Sequence, residues 1–131
     1  MSTNKIIIED TYKAFSRGDL QYIVDACAEN VTWSYYGLPR VPVTGDFQGK
    51  NGVKQFFDSF RLFKTLDYMC HEFIVDGDAA VVLGSGKVLV KLTQKTFDHN
   101  WCHVYTLNDG MIIAFRGFTS NPQGMASAFL E

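Results

Sequence analysis

The chain has 131 residues, enough for one domain spanning 1–131, and at that size roughly two thirds of the unfolded surface is buried without disulfides or metals. Its formal net charge of −2 provides no field to gather phosphates or anionic lipid, which excludes nucleic acid and a membrane surface as expected partners. Hydrophobic residues make up 47% and aromatic residues 15%, yet every apolar stretch falls well short of the ~20 residues of a membrane span, so the rings are expected to fill a core or line a cavity.

From Asn4 to Arg17 the residues Ile7, Ile8, Thr11, Tyr12, Ala14 and Phe15 recur at intervals of three and four, which predicts a helix with one buried stripe. Ser2, Thr3 or Asn4 can cap it, and Gly18 ends it. Ile6-Ile7-Ile8 is far too short for the apolar core of a secretory leader, so Cys27, Cys70 and Cys102, odd in number and widely spaced, are expected as free thiols in a reducing cytoplasm. Asp19 is placed to cap a second helix reaching Ala28, with Leu20, Ile23, Val24 and Cys27 as its apolar face, because a carboxylate accepts bonds from the free first-turn N–H groups.

Val31-Thr32-Trp33-Ser34-Tyr35 alternates bulky and small polar side chains, the signature of a half-buried strand. Pro39, Pro42, Gly45 and Gly49 punctuate residues 37–49 densely enough to predict a loop, and Val41, Val43 and Phe47 let it pack down as a pocket lid. Val53, Phe56, Phe57, Phe60 and Phe63 then mark a third helix over Gly52 to Lys64. Four strands are expected at Leu66–Val75, Ala79–Lys91, Lys95–Leu107 and Met111–Thr119, joined by Asp76-Gly77-Asp78, a link near Leu92-Thr93-Gln94, and Asn108-Asp109-Gly110 as tight antiparallel hairpins. The tail from Pro122 to Glu131 is expected to form a last helical turn or a flap. Helices ahead of a four-strand meander give an α+β class rather than βαβ.

Several strings in this order resemble the nuclear transport factor 2-like superfamily, in particular its SnoaL-like branch. Tyr12-Lys13-Ala14-Phe15-Ser16-Arg17-Gly18-Asp19-Leu20 is similar to the family's first helix-to-helix turn, and Glu29-Asn30-Val31-Thr32-Trp33 to its first strand. Phe47-Gln48-Gly49-Lys50-Asn51-Gly52-Val53 is similar to its entry into the third helix, and the strings from His103 to Ile112 and from Phe115 to Thr119 to its final hairpin. The resemblance implies a cone-shaped half-barrel, three N-terminal helices packed on a curved, mainly antiparallel sheet, with a deep central pocket. It also implies a homodimer formed through the outer sheet face. It does not imply one activity, since relatives include ketosteroid isomerase, limonene epoxide hydrolase, scytalone dehydratase, polyketide cyclases and non-enzymatic binders.

Along the third of the four strands the odd positions Phe97, His99, Trp101, His103, Tyr105 and Leu107 share one face, expected to line the pocket, and Cys102, Val104 and Thr106 share the other. The resemblance places the isomerase's oxyanion-stabilising aspartate on His103, its general-base aspartate on Tyr35, and its tyrosine donor on Thr11, beside Tyr12. The epoxide hydrolase's Arg and Asp fall on Trp101 and His103. His103 is therefore the candidate acid or base, because an imidazole with an ordinary pKa near 6.5 needs only a small shift to be poised. Tyr12 and Tyr35 are candidate polarising hydroxyls, and Phe15, Trp33, Phe56, Phe60, Trp101, Tyr105 and Phe115 are candidate ligand-binding walls. A metal is not expected, since His99 and His103 lie ~13 Å apart along a strand. Arg116, sharing parity with Phe118, belongs on the outer face, and Arg40 on the surface near the pocket mouth.

Three functions remain open. One is a cofactor-independent isomerase, cyclase or dehydratase acting on a hydrophobic carbonyl or hydroxyl compound, with His103 exchanging a proton. Another is a non-catalytic binder of a small apolar ligand, and the third a dimeric assembly module.

Overall fold

A computed structural model describes residues 3–131, so the capping role expected of Ser2 lies outside the described residues. The chain runs α1 (Thr3–Ser16), α2 (Leu20–Asp25), β1 (Cys27–Tyr36), β2 (Gly45–Gln48), α3 (Gly49–Asp58), a 3-10 turn (Ser59–Leu62), β3 (Phe63–Asp76), β4 (Ala79–Val90), β5 (Lys95–Asn108), β6 (Met111–Thr119) and α4 (Pro122–Ala128). The α+β class expected from the sequence is the one observed. The six strands form one open mixed sheet in the order β2-β1-β6-β5-β4-β3. Only the β1–β6 contact is parallel; the other pairings are antiparallel.

Helix α1 buries Ile8, Thr11, Tyr12 and Ala14, the stripe its periodicity predicts, and Gly18 follows it in the left-handed region at φ 78°. The Asp19 carboxylate caps α2 by accepting from the Tyr22 N–H at 3.2 Å. That helix stops at Asp25 rather than running to Ala28. The Ala26 carbonyl accepts from the Ile112 N–H, and Cys27 lies beside Ile112 as the first residue of β1, so sheet pairing takes over what the pattern assigned to a helix face.

The expected loop over residues 37–49 contains a strand. Gly45–Gln48 pairs antiparallel with β1, Phe47 opposite Trp33, because both proline residues fall before it and leave its N–H groups free. Helix α3 is shorter than its phenylalanine spacing predicts. It covers Gly49–Asp58, Phe60 sits in the 3-10 turn, and Phe63 opens β3, where it pairs with Val90. A fourth helix, α4, occupies the tail; its first turn is capped by Asn121, which accepts from the Gly124 N–H at 3.0 Å.

Register shifts between Thr65 and Asp67, and between Cys70 and Glu72, bend β3, as inserted residues do in an antiparallel pair. The β5–β6 turn places Asp109 at φ 51° and Gly110 at φ 76°, the paired left-handed residues of a tight hairpin. The most deeply buried side chains, including Ile8, Val31, Trp33, Val53, Val82 and Leu107, tie the helices to the inner face of the sheet. Among the described residues no helix is long and apolar enough to cross a membrane.

Candidate functional site

Between the helices and the inner sheet face lies a cavity of about 130 Å³. Strand alternation places Phe97, His99, Trp101, His103 and Tyr105 of β5 along one wall, and Trp33, Tyr35 and Phe115 on β1 and β6 continue it. Tyr12 and Phe15 reach in from α1, Phe56 and Phe57 from α3, Phe60 from the 3-10 turn and Met125 from α4. Val43 closes one side, consistent with the packing expected of its loop, while Leu107 is buried in the core and does not line the cavity. Among the described residues Thr65 and Asp67 are the only exposed ones of the lining, so the cavity opens beside β3, one of the two edge strands of the sheet.

All ten residues singled out from the sequence line this cavity: His103, Tyr12, Tyr35, Phe15, Trp33, Phe56, Phe60, Trp101, Tyr105 and Phe115. A chain of hydrogen bonds joins three of them. The Tyr12 hydroxyl lies 2.6 Å from His103 Nδ1 and 2.8 Å from the Tyr105 hydroxyl. His103 Nε2 has no protein partner among the described residues and is not sealed from the cavity. Tyr35 stands apart from the chain, and the Thr119 hydroxyl lies 2.8 Å from His99 Nδ1.

The electrostatics of the site follow from its burial. Burial, reinforced by the neighbouring His99, pushes His103 down to about 3, so at neutral pH it is an uncharged imidazole rather than a group poised to gain and lose a proton. The same desolvation lowers His99, partly opposed by Asp98. Burial pushes Tyr35 up to about 12 and raises Tyr12 and Tyr105 well above the ordinary phenol value, so these hydroxyls remain neutral.

Trp101 organises the wall. Its ring stacks on His103 at 4.3 Å and on Tyr68 at 5.3 Å, and lies nearly parallel to Tyr12 at 6.0 Å. This arrangement depends on Gly84, its partner across β4: a Cβ there would lie inside the van der Waals surface of the indole Cζ2. Trp33 stacks on Phe115 at 4.1 Å. The indole N–H groups of both tryptophans are buried without a hydrogen-bond partner, each at a cost of about 1–3 kcal/mol relative to a paired group.

The sequence pattern did not single out Tyr68, Phe57 or Met125. The inward direction of Tyr68 depends on the β3 bulge, which shifts the alternation and leaves no trace in a run where apolar and polar residues do not alternate cleanly. The Gly84-Ser85-Gly86 string was the available signal, since two glycines one residue apart on one strand face leave room for a large ring from a neighbour.

The family model for a SnoaL-like domain matches residues 8–115. No curated protein matches the sequence. Among solved structures, an NTF2-like protein of unknown function from Burkholderia pseudomallei K96243 is 25% identical, with a TM-score of 0.83 over 97% of this chain and 95% of its own. An NTF2-like protein from Burkholderia thailandensis E264 is 22% identical, with a TM-score of 0.88 over the whole of both chains. TerC, co-crystallised with polyporic acid, is 23% identical, with a TM-score of 0.78 over 92% of this chain and 93% of its own.

Proposed function

The chain belongs to the SnoaL-like domain family of the nuclear transport factor 2-like superfamily, and from that premise we propose that its cavity holds a small, uncharged ring compound bearing one polar oxygen. The observation that carries this reading is the composition of the wall: aromatic and aliphatic side chains almost throughout, with His103 among them, whose Nε2 has no protein partner among the described residues. A lone carboxylate entering such a space loses its hydration without a counter-charge, since no lysine or arginine lines it among the described residues, whereas a neutral ring loses little. The volume corresponds to a ligand of about one ring, since an apolar cavity of about 150 Å³ holds benzene. In this reading the ten cavity residues divide into His103, Tyr12 and Tyr35 as polar contacts and the remaining rings as walls.

Turnover by an isomerase, cyclase or dehydratase step, with His103 as acid or base, is the second reading. Such a site works best with two groups whose pKa values are pushed apart around neutrality. Here burial moves His103 down and the tyrosines up, leaving neither poised, which favours binding over catalysis. Tryptophan fluorescence tests the first reading, because Trp33 and Trp101 both line the cavity. Saturable quenching by p-cresol with at least tenfold weaker binding of benzoate is expected; no saturable response to p-cresol overturns it.

The outer sheet face supports a homodimer. Cys102, Val104 and Thr106 are half-buried there, and Tyr36 stacks on exposed Phe118 at 4.9 Å. Arg116 is exposed in the same region, opposite Val104, where it can pair across the contact. Equilibrium sedimentation should give twice the chain mass, and a monomer at micromolar concentration excludes the dimer. The three free thiols accord with a cytoplasmic location.

A further inference from the structure

His103 is one end of a hydrogen-bond chain whose other end is the buried Tyr105. Among the described residues the Tyr105 hydroxyl bonds Tyr12 alone, and the Tyr12 oxygen bonds Tyr105 and His103 Nδ1. Two hydroxyl protons and one imidazole proton must be distributed along this chain; of the three arrangements that keep both hydrogen bonds, the one in which Tyr12 accepts twice strands the proton of buried Tyr12 itself, and two remain.

In the first arrangement, the Tyr105 O–H donates to the Tyr12 oxygen and the Tyr12 O–H donates to Nδ1, so the imidazole proton sits on Nε2 and faces the cavity. The proton left without a protein partner is then the one on Nε2, which reaches the cavity, where a bound acceptor can take it. In the second, Nδ1–H donates to Tyr12, Tyr12 donates to Tyr105, and the Tyr105 proton, on a side chain more deeply buried than His103, has no acceptor among the described residues. A donor left unpaired on the more buried group costs more than one that reaches the cavity. We propose that Tyr12 and Tyr105 are positioning residues that hold His103 as the Nε2–H tautomer, so that the cavity selects ring compounds carrying a carbonyl acceptor over equally sized compounds that can only donate.

The inference rests on the cavity being a binding site and adds the chemistry of the ligand's polar end. His103 lying far below its ordinary pKa supports it, because an imidazolium would carry a proton on both nitrogens and Nδ1 could not accept from Tyr12. Trp101, stacked on the imidazole at 4.3 Å, holds the ring plane so that the donor keeps its direction.

Cyclopentanone, an acceptor only, and pyrrole, an N–H donor only, have five-membered rings of similar size. Nuclear magnetic resonance of the ¹⁵N-histidine-labelled protein reads which imidazole nitrogen carries the proton, and the same titrations give both affinities. The expected result is a bare Nδ1 and a protonated Nε2 in the free protein, with cyclopentanone binding about tenfold or more tightly than pyrrole. Tyr12→Phe should bring the two affinities within about twofold of each other and mix the tautomers, while Tyr105→Phe keeps the Nε2–H form, since Tyr12 still donates to Nδ1. A protonated Nδ1 in the wild type, or pyrrole binding as well as cyclopentanone, overturns the inference. If neither probe binds, the inference falls; p-cresol binding then decides whether the cavity reading survives it.

Discussion

The Tyr12 hydroxyl, on the first helix, sits 2.6 Å from Nδ1 of His103, on a strand ninety-one residues further along the chain. This contact, extended to Tyr105, sets an order of cost for removing each hydroxyl. Tyr12→Phe strands both Nδ1 and the Tyr105 donor, and about 2–6 kcal/mol of stability should be lost, taking about 1–3 kcal/mol for each buried group left unpaired. Tyr105→Phe strands only a lone pair of Tyr12 and should cost about 1 kcal/mol or less. Urea midpoints at constant slope measure both, and equal losses would contradict the assigned direction of the chain.

The buried imidazole makes stability fall on the acid side. His103 is pushed down to about 3 in the folded state, against about 6.5 when unfolded, so above pH 6.5 both states are neutral there and the group is silent. Between about 6.5 and 3 the unfolded chain takes up a proton that the folded chain refuses, and stability should drop at up to about 1.4 kcal/mol per pH unit. His99, lowered in the same direction, adds to the onset of this fall. Denaturant melts from pH 7.5 to 4 should show it, and His103→Phe should flatten most of it.

Gly84 should tolerate no side chain. A methyl group there meets both the Trp101 ring and the Met69 carbonyl, and backbone cannot yield as a flexible side chain does. At Gly86 the added carbon comes 3.0 Å from the Asp67 carbonyl and 4.0 Å from the indole nitrogen, a milder conflict. Gly84→Ala should therefore cost about 3 kcal/mol or more, the upper end for overpacking, and Gly86→Ala about 1 kcal/mol. Calorimetric melting of both variants gives the comparison, which fails if Gly86→Ala is the worse.

Asn121 holds α4 in place from two sides, accepting from the Gly124 N–H at 3.0 Å and donating to the Asp98 carbonyl at 2.8 Å. Because Met125 of that helix lines the cavity, Asn121→Ala should both destabilise the chain by about 1–2 kcal/mol and loosen one wall. Stopped-flow fluorescence with p-cresol should show faster ligand release than in the wild type; an unchanged rate would mean that α4 does not govern exchange.

The inner wall was legible because β5 alternates without interruption: Phe97, Trp101, His103 and Tyr105 were placed on one face by period alone, and their face is the cavity. The four hairpin strands were legible for the same reason. Helix α3 was overextended because Phe60 and Phe63 fall on its period by coincidence, and nothing local reveals that Val90, far along the chain, recruits Phe63 into the sheet. Strand β2 is hidden because Gly45 opens its pairing with β1 and Gly49 follows it, so that only the two proline residues lie ahead of the strand. The ionisation of His103 is not legible for a related reason: an imidazole's pKa depends on the rings enclosing it, which come from α1, β5 and β6, and residue type alone gives only the solvated value.

The parallel seam between β1 and β6, with Trp33 beside Phe115, also dictates when the molecule can be completed on the ribosome. The hairpins of β3, β4 and β5 need only neighbours in sequence and can form as they emerge, but the first strand must wait for β6, the Phe115 side of its tryptophan uncovered, although Phe56 and Phe57 reach that ring earlier. Slowing translation would therefore prolong a half-made state in which one face of the indole that later lines the cavity stays exposed.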